Sequence, residues 1–131
     1  MTKDELRVEM RKKRRELSKD YISESSGLIV GKVLPLIKSL NCVMVYMSSF
    51  NEPDMISLIQ YLINNDIRVV VPVSKTSDCT IVPSYISDFH SLKKGAYGIY
   101  EPETIEEANM NDVDLVLVPG IAFSEAGSRI G

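Results

Sequence analysis

A chain of 131 residues with 44% apolar side chains can bury one sizeable core but is short for two, so a single domain over residues 1–131 is expected. The formal net charge of −3 excludes a global field that would draw the molecule onto nucleic acid or an anionic membrane, and neither is expected as a partner. Its longest apolar runs, such as Val69 to Val73, are strand-sized and far below the roughly 20 residues that span a bilayer. The opening MTKDELRVEMRKKRRELSKD lacks the apolar stretch of a secretory signal, and the two cysteines, Cys42 and Cys79, show no CxxC spacing. Both read as buried thiols of a cytoplasmic protein.

Thr2 and Glu5 form a capping box, and Leu6, Met10 and Leu17 share a stripe, which predicts an amphipathic helix over 3–17. Asp20 or Ser23 caps a second predicted helix running to about Ser39, with Ile22, Ile29, Val33, Leu36 and Ile37 inward and Pro35 interrupting its last turns. The continuous apolar run at 42–48 suits a strand covered on both faces. After the loop Asn51–Asp54, the residues Met55, Leu58, Ile59, Leu62 and Ile63 make a helical stripe, and 67–73 repeats the buried-strand pattern. Strand, helix and strand in this order predict a right-handed crossover between parallel strands, the signature of an α/β fold.

Residues 79–86 form a further strand that Pro83 assigns to an edge. The two glycines and the proline of 92–103 predict a shaped surface loop, and 112–123 reads as another buried strand stopped by Pro119 and Gly120.

Ligands of open α/β sheets gather at the carboxyl ends of the strands, here the segments 47–54, 72–76 and 119–131. Lys3 and Arg7 lie one helical turn apart and Arg11 and Arg14 continue their face, a row suited to a phosphate chain. On charge pattern alone a solvated basic face is the simpler reading. Glu52, just past a buried strand, either accepts hydrogen bonds from an amino-heterocycle or caps the next helix, where Asp54 is the better placed residue. Tyr97 and Tyr100 either stack on a flat ligand or fill the base of their loop. The single histidine, His90, reads as a surface residue. Gly120, Gly127 and Gly131 are compatible with the start of an anion-binding loop.

Taken in order, KDELR with its following arginines, YMSSFNEPD, VVVPV, GAYGIYEP and DLVLVPGIAFSEAGSRIG resemble the 5-formyltetrahydrofolate cyclo-ligase family over nearly the whole chain. The resemblance implies a three-layer α/β/α fold with a mainly parallel sheet. It also implies a chain incomplete on its C-terminal side, because members continue with a glycine-rich loop, paired tyrosines and a magnesium-binding aspartate. The activity implied is ATP- and magnesium-dependent closure of 5-formyltetrahydrofolate to 5,10-methenyltetrahydrofolate by a monomer. Carried over by position, Lys3, Asp4, Glu5, Leu6 and Arg7 contact ATP together with Arg129, Ile130 and Gly131, while Met47, Glu52 and Tyr97 contact the folate. No catalytic residue and no metal ligand is implied within these residues. The alternative is a truncated, noncatalytic relative that still binds folate or nucleotide.

Overall fold

The computed structural model describes residues 1–75, 77–95 and 98–131. Helix α1 covers Lys3–Arg15 and α2 Lys19–Ile37. They are followed by strand β1, Cys42–Met44, helix α3, Ile56–Asn64, and strands β2, Arg68–Lys75, and β3, Thr80–Ile86. The rest is short strands: β4 at Leu92–Lys94, β5 at Tyr100–Pro102, β6 at Leu115–Val116, β7 at Ala122–Phe123 and β8 at Arg129–Ile130.

The main sheet has the order β3-β2-β1-β6, with β1 parallel to both β2 and β6 and β3 antiparallel to β2. The α/β class and the mainly parallel sheet are therefore as expected, as is the β1-α3-β2 crossover unit. Alternation sorts the strand residues onto two faces. Val43, Val45, Val69 and Val71 join Ile37 of α2 and Leu58, Ile59 and Leu62 of α3 in the main core. On the other face Cys42 and Val70 pack with Ala108, Met44, Tyr85 and Val113, so the segment leading into β6 forms that cover. Asp114 ties the two edges of this layer, its Oδ2 accepting from Asn41 N at 2.8 Å and Cys42 N at 3.1 Å. Among the described residues no helix is long and apolar enough to cross a membrane.

Several local expectations are corrected. The cap of α2 is Ser18, whose side chain accepts from Tyr21 N, and the helix runs without a break through Pro35 to Ile37. The inner stripe of α2 is Val30, Val33, Leu34 and Ile37, while Leu36 is 66% exposed, because a helix repeating every 3.6 residues cannot bury 36 along with 30, 33 and 37 on a narrow contact.

Within 92–103 the residues Leu92–Lys94 and Tyr100–Pro102 pair as antiparallel strands, Leu92 with Pro102 and Lys94 with Tyr100. The stretch 112–123 is not one buried strand: only Leu115–Val116 pairs, as the edge strand β6, and Val116 and Val118 are 43% and 51% exposed, whereas Leu115 and Leu117 reach the core. The segment after it turns back as the β7–β8 hairpin. Pro83 does sit in the edge strand β3, opposite Pro72, which puts the two missing N–H donors on one rung of the ladder. Cys42 is buried but Cys79 is exposed, lying in a turn with φ 57°.

Candidate active site

The three segments that follow the strands meet as expected. Met47 and Ser49 after β1, Pro72 and Ser74 toward the end of β2, and Pro119 after β6 line one cavity of about 230 Å³, and Glu52 completes that side. The space suits a fused two-ring heterocycle. Its walls are apolar and flat where Met47, Pro72 and Pro119 contribute, and its polar groups are hydroxyls and carboxylates. Lysine and arginine are absent from this lining, which favours a ligand that offers N–H donors. A wider groove of about 550 Å³, lined by Lys19, Ser23 and Asn51 among others, adjoins it through Ser49 and Glu52.

Glu52 is half-buried and does not cap α3. Both the backbone N–H and the hydroxyl of Ser49 donate to its Oε1, at 2.7 and 2.5 Å. Asp54 Oδ1 serves the helix, accepting from Ile56 N at 2.9 Å. With Oε1 taken, Oε2 is the atom that remains to accept from a ligand. Neighbouring bonds stiffen the turn: Ser48 Oγ donates to Pro53 O at 2.8 Å and accepts from Met55 N at 3.0 Å. Tyr46 donates to the same Pro53 carbonyl at 3.3 Å. Burial, with the charges of Glu52 and Asp54, pushes the Tyr46 phenol up to about 12, so it stays a neutral donor across the physiological range.

Asn51 holds the turn in place from the other side. Its φ of 55° is left-handed, a conformation asparagine tolerates better than most residues. Its Nδ2 donates at 2.7 Å to Arg14 O, a carbonyl of the last turn of α1 that also accepts from Leu17 N at 3.2 Å. Asn51→Ala removes this bond and strains the turn, and an unfolding free energy lower by about 1–2 kcal/mol is expected in urea titration. Asn51→Gly, which accepts the same φ, should lose less.

The segments suggested for a phosphate chain are joined although 124 positions separate them: Arg7 Nε donates to Gly131 O at 3.1 Å, while Arg7 Nη1 pairs with Asp4 at 2.7 Å. Glu5 is engaged in the capping box with Thr2, and Leu6 and Ile130 share a small hollow with Phe123. Arg129 Nε donates to Pro119 O at 2.7 Å, which fastens the β7–β8 hairpin to the rim of the cavity. Phe123 also lines a second hollow that contains Glu52 and Pro119, so the surface runs continuously from Leu6 to the cavity. Lys3 is exposed on the first turn of α1. Tyr97 lies outside the described residues.

Sequence reasoning passed over Ser49, Asn51, Ser74 and Phe123. Asparagine directly before a candidate glutamate was a usable sign of a left-handed turn. Ser49, Ser74 and Phe123 lie in the segments 47–54, 72–76 and 119–131, but which side chains of those segments reach the cavity or the hollow beside it is set by the tertiary fold.

A cation-bearing helix and a hairpin fixed to the rim of a ring-sized cavity, at the carboxyl ends of a mainly parallel sheet, define an α/β enzyme of small-molecule metabolism. The chain belongs to the 5-formyltetrahydrofolate cyclo-ligase family, whose model matches residues 1–131, and it is accordingly a ligase. It is 27% identical over 140 residues to a 5-formyltetrahydrofolate cyclo-ligase of Mycolicibacterium smegmatis, spanning 99% of this chain and 70% of that relative. The NMR structure of 5,10-methenyltetrahydrofolate synthetase from Aquifex aeolicus matches with a TM-score of 0.87 at 30% identity, covering 100% of this chain and 67% of that one. A 5,10-methenyltetrahydrofolate synthetase from Mycoplasma pneumoniae shares the fold at 21% identity, with a TM-score of 0.77 and 71% of its chain covered.

Proposed function

We propose that the protein uses ATP and magnesium to cyclise 5-formyltetrahydrofolate to 5,10-methenyltetrahydrofolate, releasing ADP and phosphate, as a monomeric enzyme of cytoplasmic one-carbon metabolism. Lys3, Asp4, Glu5, Leu6 and Arg7 with Arg129, Ile130 and Gly131 take the nucleotide, and Met47, Glu52 and Tyr97 take the folate. The observation that carries this reading is the Arg7–Gly131 bond, which joins both nucleotide segments on a surface continuous with the Glu52 cavity.

In the reaction the formyl oxygen attacks the γ-phosphorus and ADP leaves. N10 then attacks the formyl carbon, phosphate departs and N10 gives up its proton. The contribution of these side chains is to orient and to neutralise: Glu52 fixes the ring, and Lys3 and Arg7 offset charge on the phosphates. Among the described residues no group of three His, Cys, Asp or Glu stands together to hold a metal. Magnesium bound with the nucleotide would supply charge neutralisation on its phosphates, beside Lys3 and Arg7.

The test is to mix the protein with 5-formyltetrahydrofolate, ATP and magnesium and follow the near-ultraviolet absorbance of the methenyl product. ATP-dependent product is expected, and Arg7→Ala should raise the KM for ATP about tenfold, the value of one charge-assisted hydrogen bond. Folate binding without any product would sink the enzymatic reading in favour of a noncatalytic relative.

A further inference from the structure

The cavity that holds Met47 and Glu52 has a second carboxylate in its wall, Glu101 of β5. Glu101 is half-buried, and among the described residues no hydrogen bond or ion pair engages its side chain, although Lys93 lies opposite it in the paired strand. The fold makes room for it in a particular way. A Cβ at Gly95 would collide with the Glu101 carboxylate, so the bare glycine is what lets that side chain lie where it does. Gly95 is itself held, its N–H donating to Ile99 O at 2.8 Å. Glu52 and Glu101 line the same cavity, whose described lining holds no lysine or arginine, so a ligand that brings N–H donors can satisfy both.

We propose that Glu101 is a second substrate-binding carboxylate, which accepts an N–H of the reduced pteridine ring and thereby selects tetrahydrofolates over oxidised folates. The inference rests on the folate site proposed above and adds to it a determinant of specificity. A tetrahydropteridine carries N–H at N8 as well as at N3 and the 2-amino group, so it offers donors along more than one edge. In the oxidised ring N8 carries a lone pair. A carboxylate opposite that atom attracts the first ring and repels the second, and discrimination that leaves a desolvated group unpaired is stronger than discrimination by shape.

The experiment is calorimetric titration of the full chain with 5-formyltetrahydrofolate and, separately, with folic acid, with and without magnesium. Glu101→Gln is expected to weaken 5-formyltetrahydrofolate about tenfold while folic acid is unchanged or tighter, because an amide can donate to the N8 lone pair. Gly95→Ala keeps the charge but displaces the carboxylate, and it should reproduce the loss for 5-formyltetrahydrofolate. Wild-type affinity for 5-formyltetrahydrofolate in both variants would overturn the proposal. So would equal losses for the two ligands, or a loss seen only with magnesium, which would make Glu101 a cation ligand. If the unaltered chain binds no folate, the site reading itself fails and this inference falls with it.

Discussion

Replacing Glu52 with alanine is expected to weaken binding of 5-formyltetrahydrofolate about 100-fold while the affinity for ATP stays within about twofold. Two effects combine. The ligand loses its acceptor Oε2, a charge-assisted contact in a half-buried site, and the two Ser49 donors that met Oε1 lose their partner. About 3 kcal/mol, the upper range for a hydrogen bond to a charged group, corresponds to that factor. Glu52→Gln keeps the shape and one acceptor and should fall between the two. Calorimetric titration of each variant with each ligand measures the split. Loss of ATP affinity in parallel with folate affinity would mean that Glu52 supports the turn and does not read the ring.

The largest stability effect is expected at Leu62. This residue is 0% exposed and stands where α3 meets the β1 and β2 valines. Leu62→Ala leaves a cavity in a region held from several sides, and a loss of about 2–5 kcal/mol is expected. In urea unfolding the midpoint should drop with the slope unchanged. Leu36→Ala is the matched control: at 66% exposure in α2 it should change stability by less than about 0.5 kcal/mol. A comparable loss at both positions would contradict the inner stripe of α2 described above.

Most of the fold was legible where a residue pattern has one physical cause. Thr2 and Glu5 announced α1 through a capping box that forms as written. Val69, Val70 and Val71 are buried on both faces of a central strand, and that is what an uninterrupted β-branched run requires. Pro83 pointed to an edge because a missing donor is best placed there, although Pro72 lies opposite it in the central strand β2.

What escaped was set by pairing at a distance. The 92–103 strand pair has no alternating pattern because Lys93, Lys94 and Glu101 lie on its exposed or polar sides. Val116 and Val118 carry the composition of a buried strand but lie on the open side of β6, and no local signal distinguishes a covered valine from an uncovered one.

The candidate site divides in the same manner. Glu52 could be suspected from its place after a strand, and the cavity does form there. Its two Ser49 donors and Glu101 depend on how a turn and a strand pair close around one space. The charge row on α1 had the form of an ordinary solvated face; what gives it a second meaning is a bond from Arg7 to a residue far along the chain.

Helix α1 contributes no fully buried residue. Among the described residues its hydrogen bonds to segments beyond the first two helices are Arg7–Gly131 and Asn51–Arg14, with partial cover from Leu6 and Met10. Such an element is expected to release at a lower free energy than the sheet, which faster hydrogen exchange of the α1 amides than of the β1 and β2 amides would show. Only a docked helix presents Arg7 beside Gly131, so on the proposed nucleotide site apparent ATP affinity should fall in proportion to the undocked fraction. On the proposed nucleotide site the same linkage works in reverse: added ATP should slow hydrogen exchange of the α1 amides, and unchanged exchange would count against that site.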